Sequence, residues 1–197
     1  MMREANAPCG SLTTLKRCWA DDCASQIVEF ALSLPLLVLF VVGIFDFSGA
    51  ISLKQKLTNA AREGARVAAA DPANDIGTAA VPASVEDAYW VVDNYLVSEN
   101  IAECGLKAAT PVQSSGLTWV STATSAPCGA ATALVLTINR GCKSTIPSGA
   151  STTNLIETCV TIQYPYKWQF NNVAGLLGGK FTGPTSITTI ATAFNEN

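Results

Sequence analysis

Residues 26–70 read QIVEFALSLPLLVLFVVGIFDFSGAISLKQKLTNAAREGARVAAA, and the fold turns on how this stretch is built. Phe30 to Phe45 is a run of sixteen residues without a charge, closed by Asp46, and a second uncharged stretch, Phe47–Leu53, follows at once. Roughly 20 apolar residues cross a bilayer core, so Ile27–Leu53 is long enough even with Glu29 near one end. Beyond Leu53 the pattern changes. Leu57, Ala61, Gly64, Ala65 and Ala68 form a helical stripe, with Lys54, Lys56, Arg62, Glu63 and Arg66 on the remaining positions. Asp71-Pro72 stops the helix, because a residue before proline is pushed out of the α region. The spacing therefore predicts one helix from about Gln26 to Ala70, roughly 68 Å long at 1.5 Å per residue. Its first half is apolar all round and its second half amphipathic. Pro35 removes one backbone donor and kinks the apolar half, which membrane helices tolerate. A buried core helix and a cleaved secretory signal are the alternatives. The signal fits poorly, since helical sequence runs on where a cleavage site belongs.

The small residues Ala60, Gly64 and Ala68, and again Ala61, Ala65 and Ala69, recur at every fourth position. Such stripes admit close backbone approach, either to a partner helix or to the protein's own sheet.

Composition narrows the function. The 197 residues hold 12 Lys+Arg against 15 Asp+Glu, a net charge of −3, which argues against a nucleic-acid partner. Only 14% of residues are charged while 49% are hydrophobic, and histidine is absent. That absence excludes Ser-His-Asp and Cys-His nucleophiles, histidine-ligated zinc and a histidine pH switch.

The C-terminal half reads as α+β. Ser84 with Asp87 three residues on resembles a capping box, and Val85, Ala88, Tyr89, Val92, Tyr95 and Leu96 then share one helical face up to about Asn100. Alternating Thr, Ser, Val and Ile predict strands at Leu117–Thr124, Ala133–Arg140, Thr158–Trp168 and Ser186–Phe194. Cys104, Cys128, Cys142 and Cys159 are an even set, which in an extracytoplasmic domain implies two disulfides. Of three connectivities, Cys104–Cys128 and Cys142–Cys159 close the shorter loops. If Leu136 and Ile162 share a face, Cys142 and Cys159 are out of step by one residue, so this pair needs a bulge near Gly141 or a place beyond the regular ladder. A four-cysteine zinc site is disfavoured by the lack of a close Cys-x-x-Cys pair, and no metal is expected.

No active site is apparent. Asp71, Asp75, Glu86, Asp87, Asp93, Glu99, Glu103 and Glu157 are scattered over helix ends and polar faces. Gly175, Gly178 and Gly179 lack the lysine-serine pair of a phosphate loop. Tyr89, Trp90, Trp119, Tyr164, Tyr166 and Trp168 form either a ligand strip or, more ordinarily, core and sheet-facing aromatics. The expectation is a protein that is not an enzyme and takes no cofactor, nucleic acid or small-molecule substrate.

The head of the apolar segment carries a motif. Ala24-Ser25 precedes Gln26-Ile27-Val28-Glu29-Phe30, so a cut between Ala24 and Ser25 makes Glu29 the fifth residue of the mature chain, followed by Phe30. An acid inside an apolar span is costly and is by default a functional group, and a new α-amine at Ser25 is a natural partner for it. This arrangement resembles the class III signal of type IV prepilins, although Ala24 stands where those most often carry glycine. Val28-Glu29-Phe30-Ala31-Leu32, Leu34-Pro35, Asp46-Phe47 and Asn59 through Arg66 together resemble the TadE-like family of tight-adherence (Tad, or Flp) pilus proteins, over about 45 residues.

The resemblance implies a pilin-like α+β architecture: a long membrane-spanning helix packed through its second half on a C-terminal antiparallel sheet, with a second short helix. It divides the chain into a cytoplasmic leader (1–24), a transmembrane helix (25–53), its amphipathic continuation (54–71) and an extracytoplasmic α+β domain (72–197). It implies a minor pilin or pseudopilin in biogenesis of a Tad-type type IV pilus, serving adhesion, with a prepilin peptidase, the membrane and other pilin subunits as partners. Ala24 and Ser25 would be the cleavage site, Glu29, Phe30 and Pro35 assembly residues, and Ala60, Ala61, Gly64, Ala65 and Ala68 the packing stripe. The alternative is a single-span anchored binding module that enters no filament. Basic residues flanking the span mildly favour a cytoplasmic C-terminus. The cysteines point to the opposite side and outweigh them, placing the chain in the cytoplasmic membrane with its C-terminal domain outside, or within the pilus.

Overall fold

The computed structural model describes residues 22–72, 74, 76–126, 128, 133–148, 151–170, 175, 179 and 183–196. Residues 1–21 of the expected leader, Asp75 and Gly178 lie outside them.

The first element, α1, is a single 49-residue helix, Asp22–Ala70, unbroken through Pro35. It begins before the expected Gln26 and carries Ala24 and Ser25 within its first turns. A second helix, α2, spans Ala83–Ser98. The capping box is not formed: Pro82 is the N-cap, no side chain caps the helix, and Ser84 is fully buried. Proline suits a helix start because the first N–H groups have no helical acceptor. The expected apolar face is real, with Val85, Ala88, Tyr89, Val92 and Leu96 buried and Tyr95 half-buried.

Five strands follow, β1 Val112–Ser115, β2 Thr118–Ala123, β3 Leu134–Ser148, β4 Ser151–Pro165 and β5 Ser186–Phe194, forming one antiparallel sheet in sequence order. The protein is thus α+β. Strand β1 is not among the expected strands, since Val-Gln-Ser-Ser is short, exposed throughout and has little alternation. Strand β3 runs on past the expected Arg140 to Ser148, and β4 starts at Ser151, ahead of the expected Thr158, but ends at Pro165 short of the expected Trp168, where the chain turns down onto α1. Beyond Asn139 the partner β2 has ended, and ahead of Glu157 β4 has no β5 partner, so Lys143–Ser148 and Ser151–Ile156 continue as a two-stranded ribbon. Pro147 is admissible there because one side of β3 has no neighbouring strand.

The ladder between β3 and β4 runs in register from Val135↔Gln163 to Asn139↔Cys159 and resumes at Cys142↔Glu157. Arg140 and Gly141 therefore stand together opposite Thr158, a β-bulge that bends the strand. The N–H of Gly141 donates to Asn139 Oδ1 at 2.8 Å and that of Arg140 to the Leu117 carbonyl at 2.9 Å, which holds the bulge in place. A Cβ on Gly141 would lie 2.9 Å from Leu117 Cδ1, so a larger residue there would have to displace the Leu117 side chain.

The second half of α1 lies between α2 and the sheet, touching mainly β4 and β5. Leu57, Ala60, Ala61, Ala65 and Ala68 of α1 meet Leu136, Ile138, Val160 and Ile162 of the sheet in one buried core. The first half of α1 has no such cover. Ile27, Phe30, Leu32, Leu37, Phe40, Ile44 and Phe45 are all more than half exposed. An apolar surface of that extent in water is unfavourable by about 25 cal/mol per Å², which is the physical reason to read it as a bilayer-facing span.

Candidate functional site

Two junctions fix α1 to the rest of the protein, one at each end of its packed half. The upper junction is built on Arg140, which is 2% exposed. Its Nη1 donates to the Ala68 carbonyl, to Thr158 Oγ1 at 2.9 Å and to Asn195 Oδ1 at 3.4 Å, and its Nη2 donates to the Asp71 carbonyl at 3.2 Å. Ala68 and Asp71 mark the C-terminal end of α1, where carbonyls lack helical partners and the helix dipole is negative. A guanidinium answers both needs, and its planar fork reaches several acceptors at once. Asn195 completes the junction by donating back to the Arg140 carbonyl at 3.3 Å.

The lower junction is Asp46, 7% exposed although its neighbours Phe45 and Phe47 are open. The Tyr166 hydroxyl donates to Asp46 Oδ1 at 3.0 Å, and the Phe170 backbone N–H donates to Oδ2 at 2.9 Å. The chain leaving β4 thus reaches down α1 and satisfies both carboxylate oxygens. Burial, followed by the hydrogen bond to Asp46 and its charge, pushes the Tyr166 phenol up to about 12. Phe170 lies over Gly43, and Trp168 stacks at a tilt on Phe47 with centroids 5.2 Å apart.

The small-residue stripe is consumed inside the subunit. Ala60, Ala61, Ala65 and Ala68 are fully buried, and a Cβ on Gly64 would come within 2.7 Å of Val92 Cγ2 and 3.4 Å of the Ala88 carbonyl oxygen. These residues let α2 approach α1 closely. Lys56 crosses the same interface to Glu99 at 3.0 Å, a half-exposed pair of small energetic weight.

Glu29, Phe30 and Pro35 stand on the uncovered half of α1, all exposed. The ion pairs found among the described residues, Lys56–Glu99 and Glu63–Arg66, do not involve Glu29.

Two disulfides close the domain. Cys104–Cys128, with Cα atoms 5.4 Å apart, ties the turn after α2 to the segment after β2. Cys142–Cys159, at 6.0 Å, joins β3 to β4 across the bulge. The bulge brings Cys142 within reach, since Cys159 itself pairs with Asn139 in the ladder. Beside the first disulfide, Asp93 is 2% exposed and faces Glu103. Burial, then the hydrogen bond and like charge of Glu103, push Asp93 up to about 6, with Lys107 pulling the other way. Nearby Tyr89 donates its hydroxyl to the Leu106 carbonyl, and burial together with Asp93 and Glu103 pushes it up to about 12.

The candidate aromatic strip is not one surface. Tyr89 and Trp119 are core residues, and Trp119 Nε1 donates to the Ala80 carbonyl at 2.9 Å. Tyr166 and Trp168, with centroids 4.9 Å apart, belong to the Asp46 junction. Among the described residues no group of three or more Cys, Asp or Glu side chains is placed to hold a metal ion.

Residues 24–66 match the family model described as TadE-like protein. Over this segment the chain resembles that family. No curated protein and no solved structure gives a significant match to the chain. The TadE-like segment begins at the alanine of the expected cut, takes in Glu29 and Asp46, and ends at Arg66 within the packed half of α1. Its first half is the uncovered apolar helix, consistent with a single-pass membrane anchor. Neither junction partner, Arg140 or Tyr166, falls inside it.

Proposed function

We propose that this chain is a minor pilin or pseudopilin acting in biogenesis of a Tad-type type IV pilus, with a structural rather than a catalytic role. The observation that carries the reading is that the TadE-like match, residues 24–66, takes in the exposed apolar half of α1 and runs on without a break into the half packed on the folded domain. A prepilin peptidase cuts between Ala24 and Ser25, on the cytoplasmic side of the inner membrane. Glu29 then pairs in the apolar bundle with an α-amine, its own or that of a neighbouring subunit, because a carboxylate there needs a positive partner. The folded domain lies outside the cytoplasm, where its disulfides persist. It is held rigidly on α1 through Arg140 and Asp46, so that the position of the helix in a filament sets the position of the domain.

The test is a Glu29→Ala strain. Membrane levels of the protein and its resistance to proteolysis should match wild type, because Glu29 lies outside the folded core, while piliation and surface attachment fall. Normal piliation by Glu29→Ala contradicts the assembly role.

A further inference from the structure

We propose that the aromatic cluster around Asp46 is a collar that seats the folded domain in the headgroup layer of the bilayer, with the groove beside Phe170 packed by acyl chains of the leaflet on the domain's side. This rests on the reading of α1 as the membrane span, shortened from the expected 25–53 to Gln26–Phe45 because the folded domain already buries Asp46 and Ala50.

The first support is depth. Twenty residues separate Gln26 from Asp46, a rise of about 30 Å, which is the thickness of a hydrocarbon core. With Gln26 at one face, Asp46 arrives at the other. At that level the chain after β4 descends onto the helix: Tyr166 and the Phe170 N–H both bind the Asp46 carboxylate, so a charge at the edge of the hydrocarbon is satisfied from within. Trp168 packs against both Phe47 and Tyr166, and its indole N–H donates to the Pro184 carbonyl at 2.6 Å. Amphipathic rings gathered at one level beside an apolar span are the arrangement favoured at membrane–water interfaces.

The second support is the groove. It has a volume of about 570 Å³ and is lined by Phe40, Gly43, Ile44, Phe47 and Phe170. Ile44 and Phe47 remain 69% and 53% exposed beside it. Gly43 forms part of its floor beside the Phe170 ring, which a Cβ there would meet at the ordinary contact distance of 3.5 Å. The groove is continuous with the apolar surface of Gln26–Phe45, so whatever solvates that helix also fills it. For a bilayer-spanning helix the solvent is lipid.

The test uses the full chain in lipid nanodiscs at one copy per disc, which removes a second copy as the occupant. Tryptophan emission is compared in discs whose lipids carry bromine at carbons 6 and 7 or at carbons 11 and 12, and Trp168→Phe assigns the Trp168 contribution by difference. The Trp168 emission should be quenched at least twofold by the shallow bromine and less by the deep one. An integrated protein whose Trp168 emission neither bromine touches overturns the collar while leaving the span intact. A chain that fails to integrate into discs at all contradicts the span reading and the collar with it.

Discussion

The guanidinium of Arg140 donates to the main-chain carbonyl of Ala68, across 72 residues of sequence, and so ties a bulge in the central strand to the end of the long helix. Truncating it leaves helix-terminal carbonyls without a donor and a void where a large side chain stood. Arg140→Ala should destabilise the detergent-solubilised protein by roughly 2–4 kcal/mol in urea denaturation, from the buried acceptors it leaves unpaired and the cavity it opens. Arg140→Lys should recover little, since an ammonium cannot reach the carbonyls of Ala68 and Asp71 together. Wild-type stability in either variant would contradict the clamp.

Gly64 sits where α2 presses on α1. Alanine there gains about 1 kcal/mol of helix propensity but forces a Cβ against the stiff Val92 side chain and the Ala88 carbonyl. Overpacking costs about 1–3 kcal/mol, so Gly64→Ala should be destabilising by about 1 kcal/mol net, and Gly64→Leu by more. The double variant Gly64→Ala/Val92→Ala should show positive coupling in a mutant cycle, which a merely local helix effect would not produce.

Much of this was legible in the residues. The apolar run, the stripe through Ala61 and Ala65 and the α+β class follow from periodicity, which records burial directly. Arg140 also has a signal in the sequence: it shares parity with Leu134, Leu136 and Ile138, so regular alternation points its side chain inward. The Asp46 junction left none. Its donors, Tyr166 and the Phe170 N–H, lie 120 and 124 residues away, and a backbone N–H has no sequence signature. The capping box failed because Ser84 and Asp87 match a pattern that Pro82 pre-empts by starting the helix two residues earlier.

Tyr166 offers a spectroscopic report on the lower junction. Burial raises its pKa first and the hydrogen bond and charge of Asp46 add to that, so Asp46→Asn should bring it part of the way down from about 12. Because the folded value is raised, the contribution of Tyr166 is fully present below pH 10 and lost as pH rises towards 12. Absorbance at tyrosinate wavelengths, with Tyr166→Phe as the assigning control, should show one tyrosine moving in Asp46→Asn. An unchanged titration would separate Tyr166 from Asp46.

The buried acid on α2 predicts the opposite end of the pH scale. Asp93 is raised from 3.8 to about 6, so the folded state holds its proton more tightly than the unfolded chain. Stability from this site is present below about pH 4 and declines as pH rises through 6. Asp93→Asn keeps the shape, removes the charge facing Glu103 and should raise the melting temperature at pH 7 by a few degrees while flattening this slope. A variant less stable than wild type at pH 7, with the slope intact, would show that Asp93 is held as a favourable carboxylate.

The central claim is that the chain is a processed pilin-type subunit, and the N-terminal residue of the protein recovered from membranes tests it most directly. Intact mass and terminal sequencing should give a chain starting at Ser25, with Glu29 as its fifth residue. A chain that keeps Met1 or Met2, in cells whose prepilin peptidase cuts its other substrates, would contradict the claim and leave a membrane-anchored sheet domain in its place.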